Sequence, residues 1–181
     1  MRRSLVLAVV LLLPLAAAES GVNESVDTEG TAIVSVGTSD VASSSEVFDV
    51  TVVLNDEAAS NGTTVQWTTQ ICINTGVCYP PETSDLASDS DGKNWMGSVL
   101  MLDDSSYVNW RIELVWPDGA IQRVPDTGFG WKVWSDCWWD NGTWGGSTTD
   151  CQEEDEDRLP GFAAPAAAAS IAMAALMARR D

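Results

Sequence analysis

Hydrophobic and polar positions alternate along most of the middle of the chain. The clearest case is 107–116, where Val108, Trp110, Ile112, Leu114 and Trp116 share one face and Asn109, Arg111 and Glu113 the other. Residues 46–54 repeat the pattern with Phe48, Val50, Val52 and Leu54. Three further runs, 31–36, 63–73 and 97–102, are short, apolar and rich in strand-forming residues. A period of two with one apolar face predicts antiparallel sheets packed on one side. Asn61-Gly62, Asp91-Gly92, Asp118-Gly119 and Asn141-Gly142 supply turn chemistry between these runs. No stretch of the middle region holds a helical period. Short strands at even spacing over about a hundred residues predict an all-β domain, an immunoglobulin-like β-sandwich.

The ends read differently. Arg2 and Arg3 precede an apolar run, 4–15, and the small residues Ala16, Ala17 and Ala18. That order predicts a secretory signal peptide over 1–18. Residues 19–30 are polar and predict a flexible leader, followed by the β-sandwich ectodomain over 31–151. Residues 152–158 are acidic and self-repelling, an extended stalk. Residues 159–178 are uncharged, long enough for a membrane helix, and followed by Arg179 and Arg180. Because basic residues favour the cytoplasmic side, the domain is expected on the outer face of the membrane. The segment over 159–181 is thus a C-terminal apolar helix serving as anchor or sorting signal.

Charge narrows the partners. The net charge is −18, and Arg2, Arg3, Arg179 and Arg180 account for four of the nine basic residues. The region between the end signals is therefore more acidic still, which argues against nucleic acid and anionic lipid. The absence of histidine removes histidine-based metal sites and acid–base sets. Asp89, Asp91 and Asn94 outline an acidic turn that lacks the ligand spacing of a full calcium loop. No metal site and no cofactor is expected. Asn23, Asn61 and Asn141 head glycosylation sequons.

Four cysteines, Cys72, Cys78, Cys137 and Cys151, lie in the exported region, and three pairings are open to them. Spacing favours two local bonds. Cys137 with Cys151 would close a hairpin tipped by Asn141-Gly142, a structural staple. Cys72 with Cys78 would close a shorter loop and constrain the unfolded chain less, which fits a working disulfide better than a staple. Trp131, Trp134, Trp138, Trp139 and Trp144 crowd around Cys137. They are expected to divide between core and an exposed platform for a sugar or protein.

Two segments resemble known families. The acidic stretch 153–157, then Pro160-Gly161-Phe162, an apolar run and a basic pair, resembles the PGF-CTERM sorting signal of archaeal surface proteins. That resemblance implies recognition by an archaeosortase and exchange of the tail for a lipid. The run CINTGVCYPPET, 72–83, resembles the active segment of the N-terminal domain of the thiol:disulfide interchange protein DsbD. It implies an immunoglobulin-like sandwich in which Cys72 and Cys78 are the redox pair and Tyr79, Pro80, Pro81 and Glu82 the flanking segment. It also implies a membrane-embedded DsbD-like electron donor and soluble, thioredoxin-like partners. The chain lacks that family's other domains. The leading expectation is a cell-surface module with a binding or structural role. Thiol–disulfide exchange and sugar binding through the tryptophans stand as alternatives.

Overall fold

The computed structural model describes residues 20–152. The segments read as a signal peptide, 1–18, and as a stalk beyond residue 152, and the tail with Pro160, Gly161 and Phe162, lie outside the described residues. Among those described, no helix is long and apolar enough to cross a membrane.

The elements run β1 (Ile33–Thr38), β2 (Val47–Leu54), α1 (Asp56–Asn61), β3 (Thr64–Ile73), β4 (Glu82–Asp85), β5 (Ala87–Ser88), β6 (Asn94–Leu100), β7 (Ser105–Val115), β8 (Ile121–Val124), β9 (Trp131–Trp134), β10 (Cys137–Asp140) and β11 (Thr143–Gly146). Every strand pairing is antiparallel. One sheet has the order β1-β2-β6-β5. The other has β4-β3-β7-β8, with β9 also pairing β7, and β10 and β11 form a separate hairpin. Between β4 in one sheet and β5 in the other stands only Leu86, which is buried and donates its N–H to Val65 O.

The inner faces of the two sheets meet in one core, a sandwich-like arrangement. Phe48, Val50, Val52 and Leu54 come from β2, and Val108, Trp110, Ile112 and Leu114 from β7. Val65 and Trp67 of β3 join them, with Trp67 set edge-on to Trp110. Burying such side chains contributes about 1.5–3 kcal/mol each, which is why the period of two decides which face turns inward.

Two expectations are corrected. Asn61-Gly62 does not join strands: it ends α1, whose first turn is capped by Asn55 Oδ1 accepting from Ala58 N–H, with Gly62 in the left-handed region. The segment read as a flexible leader is held by contacts from residue 20 onward. Glu24 and Lys132 exchange both backbone hydrogen bonds, at 2.9 and 3.1 Å. Trp134 donates its backbone N–H to Asn23 Oδ1 and its indole N–H to Val22 O, and Val26 packs on the core. Backbone pairing with β9 and one apolar anchor outweigh the polar composition.

Candidate functional site

β3 does not stop at Ile73; the chain doubles back on it. Ile73 N–H donates to Val77 O, Gly76 N–H to Ile73 O, and Tyr79 N–H to Ile71 O. These bonds flank Cys72 and Cys78, leaving them directly opposite as a pair without backbone bonds of their own, the closer of the two antiparallel arrangements. Their Cα atoms are 4.0 Å apart and their sulfurs are joined in a disulfide. Pro80 and Pro81 have no N–H to give, so pairing resumes only at Glu82, opposite Thr69. The two residues differ in exposure: Cys72 is 1% exposed, whereas Cys78 is exposed.

Register then decides the neighbours. Cys72 pairs with Tyr107, and Tyr107 with Trp134, across β3, β7 and β9. The next row on the same outward face is Gln70, Asn109 and Lys132. Tyr107 Oη stands 3.8 Å from Cys78 Sγ, and Asn109 Nδ2 stands 4.0 Å from Cys72 Sγ. Lys132 Nζ lies 5.0 Å from the centre of the Tyr107 ring and 2.9 Å from Glu24 Oε1. Burial pushes the Tyr107 phenol above its ordinary pKa; Lys132 pulls the other way, and Asp140 and Glu24 add to the rise. The phenol thus stays a hydrogen-bond donor through neutral pH.

The turn is covered from the other side by β10. Trp139 N–H donates to Asn74 Oδ1 at 2.9 Å, and Ser106 Oγ donates to the same oxygen at 2.6 Å. The Trp139 ring rests against Gly76, so a Cβ built there would stand 2.9 Å from the indole. On the opposite, inward face of β3, next to this turn, opens a cleft of about 270 Å³ whose lining includes Ile71, Tyr79, Pro80 and Glu82. Pro81 is exposed beside them.

The second disulfide joins Cys137 to Cys151 and holds the β10–β11 hairpin, which turns at Asn141-Gly142. Both turn residues have positive φ, 48° and 85°, the geometry a two-residue hairpin favours and asparagine with glycine tolerates. Trp131, Trp134 and Trp138 are buried: Trp131 stacks on Trp110, and Trp134 contacts both Tyr107 and Trp138. Trp139 is half-buried over the Gly76 turn, and Trp144 is 41% exposed. The five therefore do not make one exposed platform.

Of the sequon asparagines, Asn61 and Asn141 sit exposed on a helix end and a hairpin tip. Asn23 is exposed too, but its amide is engaged, donating to Asp40 O at 2.7 Å while its oxygen accepts from Trp134. Asp89 Oδ1 accepts from the N–H groups of Asp91 and Lys93, so this carboxylate organises its own turn. Among the described residues, no group of three or more acidic or cysteine side chains is placed to hold a metal ion.

No protein-family model matches the chain, and no curated protein matches it. Tyr107, Asn109, Lys132 and Trp139 are the site neighbours that sequence reasoning did not single out for this pair. Alternation puts Tyr107 and Asn109 on the outward face, but only the pairing of β3 with β7 brings them to the sulfurs.

Proposed function

We propose that this domain is a thiol–disulfide exchange module of the kind found at the N-terminus of DsbD, an immunoglobulin-like sandwich displayed outside the membrane. The observation that carries this reading is the asymmetry of the pair: Cys78 is exposed at the end of a sheet, while Cys72 is buried against Tyr107 and Asn109. An exposed Cys78 gives a partner thiolate a point of attack on a bond whose other residue is buried.

The chemistry follows from access. A partner thiolate attacks Cys78 Sγ, the sulfur–sulfur bond breaks, and Cys72 leaves as a thiolate that takes up a proton. The partner's second thiol loses its proton and attacks the partner sulfur of the mixed disulfide, releasing Cys78. Two electrons and two protons have then passed from the partner dithiol to Cys72 and Cys78. The reverse sequence passes them on. Asn109 and Tyr107 provide donors toward the two sulfurs. Export by the N-terminal signal, and replacement of the tail that carries Pro160-Gly161-Phe162 by a lipid, would hold the module near a membrane-embedded donor.

The test is the reduction potential of Cys72–Cys78 together with its exchange with a thioredoxin-like dithiol protein. A potential above about −300 mV with rapid exchange is expected. A lower potential and no exchange would leave a structural bond, and with it the plain binding or structural role as the better reading.

A further inference from the structure

The strand edge that meets the cleft next to the disulfide turn is open. β6 pairs with β2 along its whole length, from Asn94 to Leu100, while β5 covers only Trp95 and Met96 on the other side. Two backbone bonds fix which groups look which way. Met101 N–H donates to Glu46 O on the β2 side, and Asp89 N–H donates to Asn94 O on the β5 side. Backbone direction alternates along an antiparallel ladder, so Ser98 and Leu100 turn their N–H and C=O groups toward the uncovered edge. β5 ends before it reaches them, and no other backbone partner serves them among the described residues.

This edge also lacks the usual protection. Natural edges are blunted by charge, proline or covering loops, yet residues 96–102 read MGSVLML, with neither charge nor proline. Leu100 is 64% exposed and Val47, its partner across the ladder, is 58% exposed. Ile71, Val99, Leu100, Tyr79 and Pro80 line the cleft. Around this neutral strip stand the exposed carboxylates of Glu46, Glu82 and Asp103. An occupant is therefore extended, apolar at alternate positions to fill the cleft, and basic at its flanks to meet the rim.

We infer that the β6 edge takes an extended segment of the exchange partner as an added strand, apolar in its middle and lysine- or arginine-flanked. This rests on the exchange reading only in naming whose segment it is. Tyr79, which lines the cleft, directly follows Cys78, so the cleft adjoins the disulfide turn, with the sulfurs themselves on the opposite, outward face of β3.

The probe is a cysteine-free synthetic peptide of alternating valine and threonine with two lysines at each end, titrated into the full oxidised protein. Saturable binding is expected, with slowed hydrogen exchange at the Ser98 and Leu100 amides. Ser98→Pro removes an N–H that β2 does not use, and Leu100→Lys charges an exposed position. Each should weaken binding roughly tenfold or more, as should glutamates in place of the peptide lysines. Absence of saturable binding, or equal binding by both variants, overturns the docking site. A second arm places one cysteine in the middle of the peptide and follows reduction of Cys72–Cys78. Reduction faster than by free cysteine, lost in both variants, supports the whole proposal. Fast reduction that survives in both variants removes the docking site and leaves exchange standing. Tight docking without faster reduction overturns the assignment of the segment to an exchange partner.

Discussion

Tyr107 Oη stands 3.8 Å from Cys78 Sγ, on the β7 residue paired with Cys72. The phenol keeps its proton because burial raises its pKa above the ordinary value, so it faces the sulfur as a donor. A donor stabilises a thiolate more than a thiol. Tyr107→Phe keeps the ring against Trp134 and should change folding stability by less than about 1 kcal/mol. In the reduced protein it should raise the pKa of the Cys78 thiol and slow its exchange severalfold near neutral pH. Thiolate absorbance against pH measures the first effect. Superimposable titration curves for the two proteins would remove the hydroxyl from the mechanism.

Glu113 is an acid switch of stability on the same sheet face. Burial alone would raise its pKa, but hydrogen bonds from Arg111 and Thr68, and the charges of Arg111 and Arg123, hold the carboxyl below its ordinary value. Arg111 reaches Oε1 at 2.8 Å and Arg123 at 3.6 Å. A carboxylate depressed in the folded state adds stability that is fully present above its unfolded pKa of about 4.3. That stability drains as pH falls through the lower folded value. Glu113→Gln should therefore cost about 1–3 kcal/mol near neutral pH and flatten the acid limb. Urea unfolding across that range checks both, and an acid limb identical to the parent's would refute the assignment.

Much of the framework was legible before the fold was known. The alternation in β2 and β7 marked the core faces correctly, and Asn141-Gly142 with Cys137 and Cys151 marked a closed hairpin. β4 escaped notice because its four residues are all exposed and carry no apolar period. The docking of the leader escaped because Glu24 pairs with Lys132, a long-range choice invisible to local composition. The same holds for the site. Cys72 and Cys78 stood out by spacing, but Tyr107 and Asn109 reach them, and Lys132 reaches Tyr107, only through the register of β3, β7 and β9. Register is set by which faces bury, not by any one segment.

Gly76 tests how tightly the disulfide turn is covered. Its φ is +81°, and a Cβ there would meet the Trp139 ring at 2.9 Å. Gly76→Ala thus combines backbone strain with displacement of an indole, and should cost about 1–3 kcal/mol. Denaturant unfolding reads the loss, and near-ultraviolet circular dichroism should show an altered tryptophan signal. An unchanged spectrum and midpoint would mean that Trp139 does not rest on the turn in solution.

The two disulfides should prove coupled through that same indole. Cys137–Cys151 spans a sequence separation of 14, and closing such a loop contributes about 3 kcal/mol in the chain-entropy model. Replacing both cysteines by alanine should lower stability by that order. It should also loosen β10, whose Trp139 N–H donates to Asn74 Oδ1 at 2.9 Å beside the Cys72–Cys78 turn. Freed of this cover, Cys72–Cys78 should be reduced severalfold faster by a small thiol under native conditions, followed by alkylation and mass measurement. Trp139→Ala, made with the Cys137–Cys151 bond intact, separates lost cover from lost stability. If it matches the acceleration, the indole shields the pair directly. If neither variant changes the rate, the hairpin is a neighbour of the disulfide turn and not its shield.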